Sequence, residues 1–153
     1  MANTYTKIHL QFVFAVKYRR ALIHPSWENE LYKYITGIVQ NHNHKMLAIN
    51  GVEDHIHILV GMRPSQSISD LLRDIKGDSA LWINESKFID TKFEWQSGYG
   101  AFSYSPEAVK NVIRYILNQK EHHKNQLFKQ EYLDLLAYHE VEYDAQYIFE
   151  DPI

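Results

Sequence analysis

Residues 55 to 60, His-Ile-His-Ile-Leu-Val, constrain the fold of this 153-residue chain more than any other stretch. A strand repeats every two residues, so His55 and His57 share one face while Ile56, Ile58 and Val60 face the other way into a core. Two imidazoles side by side on a rigid strand make half of a divalent-metal site. The preceding apolar run, Met46 to Val52, is separated from His55 to Met62 by Glu53-Asp54, which predicts an antiparallel pair joined by a tight turn.

The remaining elements follow from periodicity and start signals. Ile8 to Val16 is rich in β-branched and aromatic residues and reads as a central strand. A helix is expected from about Pro25 to His42, with Leu31, Ile35, Ile38 and Val39 at helical spacing. Ser67-Ile68-Ser69-Asp70 is a variant capping box that opens a second helix through Leu71, Leu72, Ile75 and Ile83. A strand is expected from Tyr99 to Ser103, and Ser105-Pro106 starts a third helix running to about Lys124. The order is strand, helix, strand, strand, helix, strand, helix. Its first six elements are those of a ferredoxin-like α+β sandwich, an antiparallel sheet with helices on one face, followed by a C-terminal helix. The length suits one domain over 1–153, with a core of about 5–125 and an extension over 126–153.

The third helix carries the groups that complete the histidine pair. At about 100° per residue, taking Tyr115 as zero puts Gln119 at roughly 40° and His122 at roughly −20°. The apolar residues Val109, Val112, Ile113, Ile116 and Leu117 centre near roughly 130° on the same wheel. Tyr115 and Gln119 therefore share a polar flank, where one helix can deliver both a phenol and an amide. Two imidazoles and an amide oxygen suit Mg²⁺ or Mn²⁺ with open positions for water and a phosphate oxygen. A phenol beside such a metal can attack phosphorus and form a phosphotyrosine.

Composition narrows the alternatives. The absence of cysteine removes disulfides and thiolate metal sites. No segment approaches the roughly 18 apolar residues of a membrane span, so a soluble cytoplasmic protein is the expectation. The formal net charge is −3, but five of the 19 acidic residues and none of the 16 basic ones lie in 139–153. The cluster Lys17-Tyr18-Arg19-Arg20 follows the first strand, where it could line a phosphate-binding groove.

At these residues the chain resembles the single-tyrosine, IS200-like transposases of the HUH endonuclease superfamily, encoded by small bacterial and archaeal insertion sequences. The likeness rests on His55-Ile56-His57, on Tyr115 with Gln119 four residues later, and on Ile8 to Phe14 followed by Lys17-Tyr18-Arg19-Arg20. Glu53 to Leu59, the helix around Lys76-Gly77 and Trp95-Gln96-Ser97-Gly98-Tyr99-Gly100 extend it. The resemblance implies a DNA transposase whose metal is held by His55, His57 and Gln119 and whose nucleophile is Tyr115. It further implies a homodimer with composite active sites that binds single-stranded DNA at hairpins near its element's ends and leaves a 5′-phosphotyrosine. By analogy Lys17, Arg19 and Arg20 are DNA-contact candidates, while His122, on the Tyr115 flank of the helix, reads as a DNA or surface contact rather than a ligand. The acidic tail after His139 has no match in the family pattern and could be an edge strand, a dimer arm or a mobile end.

Other readings compete. His42-Asn43-His44 is a second histidine pair, but it falls where a helix ends. His122 and His123 cannot point the same way on a helix, and His9 reads better as a hydrogen-bonded core residue than as a ligand. A non-catalytic single-stranded nucleic-acid-binding module could stack bases on Phe12, Phe14 and Tyr99. A metal-dependent hydrolase using water would cut without a covalent intermediate.

Overall fold

The structure is a computed structural model that describes residues 3–148; Glu150 and Asp151 of the acidic tail lie outside the described residues. Four strands, β1 (His9–Ala15), β2 (Lys45–Gly51), β3 (His55–Gly61) and β4 (Gly100–Tyr104), form one antiparallel sheet in the order β2-β3-β1-β4. With helices α1 (Glu28–Asn41) and α2 (Ile68–Ser86) interposed, this is the ferredoxin-like α+β arrangement that the element order predicts.

The histidine strand is central and its residues 55–60 are all buried, so both sheet faces are covered. On one face Phe12, Phe14, Ile56, Ile58 and Val60 pack against Leu31 and Ile35 of α1 and Leu71 and Ile75 of α2. This burial removes Phe12 and Phe14 from use as a base-stacking platform. The opposite parity, Gln11, Val13 and Ala15 of β1 with His55, His57 and Leu59 of β3, faces three further helices: α3 (Val109–Leu117), α4 (Gln119–His122) and α5 (Phe128–Tyr138). Val112 and Ile116 of α3 close over Leu59, and Phe128 and Leu136 of α5 close over Val13 and Ala15. The Ser67 hydroxyl accepts from the Asp70 amide at 3.1 Å, so the expected cap of α2 is formed.

Several boundaries differ from the sequence reading for identifiable reasons. Residues 25–27 form a turn ahead of α1, whose first bonds run to the His24 carbonyl. The single helix expected to about Lys124 is divided: a 3₁₀ turn at Pro106–Ala108, then α3, a break at Asn118, and α4. At the break the Asn50 side-chain amide donates to the Leu117 carbonyl at 3.0 Å, while Lys120 donates to Asn50 Oδ1 at 2.9 Å. An external donor on the last carbonyl of α3 favours ending the helix there. Leu117 is 60 % exposed, so it does not belong to the apolar stripe. Past α5 the described tail forms a 3₁₀ turn at Ala145–Tyr147 rather than an edge strand, and the Ile148 carbonyl accepts from Gln96 at 3.0 Å.

The loop 96–98 is fixed by Lys76, whose ammonium donates to the carbonyls of Gln96 and Gly98 at 2.6 and 2.7 Å. Among the described residues no helix is long and apolar enough to cross a membrane. At the β2–β3 connection Gly51 admits no side chain, because an added Cβ would lie far inside van der Waals contact distance of the His55 carbonyl oxygen, which is backbone and cannot swing away. Gly51→Ala is therefore expected to destabilise the chain by about 1–3 kcal/mol or more, read as a lowered midpoint in urea unfolding. An unchanged midpoint would mean that this turn relaxes freely.

Candidate metal centre and tyrosine site

His55 and His57 project from β3 into the space beneath α3, α4 and α5 and are fully buried. Their ring orientations are set from behind. Asp54 Oδ1 lies 2.7 Å from His55 Nδ1, and the Gln11 amide lies 2.9 Å from His57 Nδ1. The Tyr104 hydroxyl in turn donates to Gln11 Oε1 at 2.6 Å, and His139 Nε2 lies 3.2 Å from that hydroxyl. Gln11 serves either tautomer of His57 by rotating its amide. In both histidines Nε2 is the atom left facing inward.

Those inward atoms converge on Glu131 of α5, which is 1 % exposed. Its Oε1 lies 3.0 Å from His57 Nε2, 3.3 Å from His55 Nε2 and 2.8 Å from His123 Nε2. Its Oε2 accepts from Gln119 Nε2 at 2.9 Å and from the Tyr115 hydroxyl. Gln119 Oε1 lies 3.3 Å from His55 Nε2. Tyr115 and Gln119 thus reach one point even though α3 and α4 are separate helices, because the break at Asn118 preserves their relative direction. Phe128 stacks on the His55 ring at 3.8 Å and aligns α5 with β3.

The electrostatics of the cluster follow from burial and the shared carboxylate. Burial raises the energy of the Glu131 charge, but the hydrogen bonds from His123, His55 and His57 outweigh it and hold the carboxyl ionised, well below the usual range. Burial lowers the His57 pKa to about 4, so this imidazole is neutral at pH 7. Burial also disfavours a charged His55, yet its hydrogen bonds to Asp54 and Glu131 raise its pKa above 6.5. Burial, the Glu131 charge and the hydrogen bond to it push the Tyr115 phenol upward and keep it protonated.

The donor set fits a divalent metal: the ligating atoms of His55, His57, His123 and Glu131 all lie within 4.8 Å of one another. A phenol beside such a cluster equips the chain for attack on a phosphoester. The profile of the family described as "Transposase IS200 like" matches residues 4–119. The chain belongs to that family.

This IS200-like chain is 28% identical over 130 residues to the transposase for insertion sequence element IS200 of Salmonella typhimurium, covering 81% of the chain and 84% of that relative. It is 24% identical over 120 residues to the ISDra2 transposase TnpA of Deinococcus radiodurans, covering 75% and 86%. Its fold is similar to the crystal structure of a protein assigned as a transposase in Deinococcus radiodurans R1, with a TM-score of 0.64, 21% identity and coverage of 78% and 95%. It is also similar to a REP-associated tyrosine transposase bound to a REP hairpin, with a TM-score of 0.61, 15% identity and coverage of 80% and 73%.

The structure gathers Tyr115, His55, His57 and Gln119 of this transposase and leaves the other candidates around them. His122 lies beside the Tyr115 ring at 5.2 Å and 3.6 Å from Glu131 Oε2. Lys17, Arg19 and Arg20 lie outside the cluster, on a turn at the same end of β1 as Ala15, the partner of His55. Lys17 pairs with Glu94 at 3.4 Å, and Tyr18 and Arg19 have φ of 58° and 52°, a strained backbone for residues other than glycine. His44 is held by Gln66 and the Arg63 amide, and His42 by Asp74, so the second histidine pair is structural. His9 sits opposite Gly61 at the far end of β1, and its Nδ1 has no hydrogen-bond partner among the described residues.

Sequence reasoning does not single out Glu131 and sets His123 aside with His122 as unable to point the same way, whereas both imidazoles reach the Glu131 carboxylate, His122 at 3.6 Å and His123 at 2.8 Å. Glu131 sits three residues after Phe128 and five before Leu136, on the buried side of α5, and a carboxylate on an apolar stripe is the signal that marks it.

The depressed pKa of His57 has a consequence for stability. Between pH 6.5 and about 4 the unfolded chain takes up a proton that the folded His57 refuses, so this contribution to stability is present above pH 6.5 and is lost as pH falls. His55, with a raised pKa, acts above pH 6.5, and Glu131 protonates on unfolding only below its ordinary value of 4.5. His57→Gln is therefore expected to lessen the drop in the metal-free melting temperature between pH 6.5 and 5. An equal drop in both proteins would place the titration elsewhere.

Proposed function

We propose that this transposase cuts and rejoins single-stranded DNA through a covalent 5′-phosphotyrosine on Tyr115, with His55, His57 and Gln119 holding Mg²⁺ or Mn²⁺. The observation that carries the reading is that the Tyr115 phenol and the His57 imidazole meet on one buried carboxylate, Glu131. Bound at the histidines, a divalent cation would polarise the phosphoryl oxygens and offset their charge.

The chain's own groups do the rest. A surface cleft of about 260 Å³, lined by Asn111, Arg114, Tyr115, Asn118 and His122, borders Tyr115 and offers a path for the scissile phosphodiester. Arg114 supplies positive charge there. The Tyr115 oxygen attacks phosphorus, the bond to the 3′-oxygen breaks, and that oxygen leaves with a proton as a 3′-hydroxyl. The new phosphoester keeps the energy of the old one, so a second 3′-hydroxyl can attack it, return the proton to Tyr115 and join strands without a nucleotide cofactor. Lys17, Arg19, Arg20 and His122 are proposed to contact the DNA backbone, and the resemblance supports a homodimer that binds hairpin ends. The chain's own Tyr115 and histidines already meet within one copy.

The test is a denaturing gel of labelled single-stranded DNA from the flanks of the gene, with and without Mn²⁺ or Mg²⁺. Wild type is expected to give a shifted, metal-dependent band. Tyr115→Phe should lower its yield at least about a thousandfold while DNA binding stays within a few-fold. His57→Ala should lose cleavage and metal dependence together. Cutting by Tyr115→Phe without linkage would favour the water-using hydrolase, and binding by wild type without linkage would favour the binding module.

A further inference from the structure

We infer that His123 and Glu131, both beyond the segment that matches the family, are two further ligands of the metal, giving a site rich in imidazole that takes a later first-row ion such as Co²⁺ in preference to Mg²⁺. The inference rests on the reading that His55 and His57 hold a metal.

Three observations carry it. The Nε2 atoms of His123, His55 and His57 and a Glu131 oxygen all lie within 4.8 Å of one another, although they come from β3, α4 with the residue that follows it, and α5. His123 Nδ1 donates to the Gln126 carbonyl at 2.7 Å, which fixes Nε2 as the inward atom. Metal-bound histidines are held in this way, by an acceptor on the outer nitrogen, and His55 has the same arrangement with Asp54.

The third observation is charge. Two imidazoles and an amide are neutral, so a divalent ion on them alone would bring two uncompensated charges into a fully buried pocket. Glu131 is the carboxylate in direct contact with both His55 and His57, and its single negative charge offsets one of the two. Three nitrogen donors then set the preference, because Mg²⁺ favours oxygen ligands and retains its waters, whereas imidazole suits the later first-row ions.

Co²⁺ is the probe, titrated into the full chain and followed by its visible absorption, with far-UV circular dichroism to verify folding. Wild type is expected to develop d–d bands that excess Mg²⁺ does not displace. His123→Ala and Glu131→Gln should each weaken binding by more than the about 10–100-fold that loss of an outer-shell partner costs, and should change the band pattern. His123 lies at the margin of the core, so His123→Ala decides the matter even where Glu131→Gln unfolds. Binding within twofold of wild type in His123→Ala, or tighter binding in folded Glu131→Gln, would overturn the inference. His57→Ala separates the two levels. If it alone loses Co²⁺, the metal reading stands and this extension falls; if wild type binds no Co²⁺, both fall.

Discussion

An ionised carboxylate that is 1 % exposed is the interaction on which the rest of this site depends. Taking such a charge out of water costs several kcal/mol unless donors replace the lost hydration. Glu131 recovers that cost only when His57 and His55 of β3, His123, Gln119 and Tyr115 are all in place. The same requirement that keeps α5 docked therefore aims the phenol at the histidines. Removing any one donor leaves the others around an under-compensated charge.

The two faces of the sheet divide the work. The parity that sends Ile56 and Ile58 toward α1 and α2 sends His55 and His57 toward α3, α4 and α5, so one alternating strand specifies a core and a buried polar pocket together. Gln11 belongs to the histidine face by the same parity on β1. It links Tyr104 of β4 to His57, which ties the imidazole to the two strands beside it. Lys76 performs a comparable structural task for loop 96–98 on the margin of the sheet.

What could be read from the sequence was governed by short-range pattern. The alternation of β3 and the Ser67 cap depend on neighbours in the chain, and both are found as read, whereas Tyr115 and Gln119 meet from two helices rather than the one expected. The break at Asn118 was not legible, because its cause is Asn50, far away in sequence on β2. Glu131 and His123 escaped for the same reason. Their contacts are tertiary, and α5 has a weaker apolar pattern than α3, with its buried stripe interrupted by the very carboxylate that matters. Phe12 and Phe14 illustrate the converse error, since aromatic residues on a strand suit a stacking surface or a core equally well until both faces are accounted for.

The central claim is that Tyr115 becomes joined to DNA, and peptide mass spectrometry addresses it directly. Trypsin cuts after Arg114 and Lys120, which isolates Tyr115 as the sole tyrosine of residues 115–120, Tyr-Ile-Leu-Asn-Gln-Lys. Wild type incubated with single-stranded DNA and Mn²⁺, treated with nuclease and then trypsin, should yield that peptide carrying a nucleotide through a phosphoester. A nucleotide on any other peptide, or none on a protein that has cut its DNA, would contradict the account.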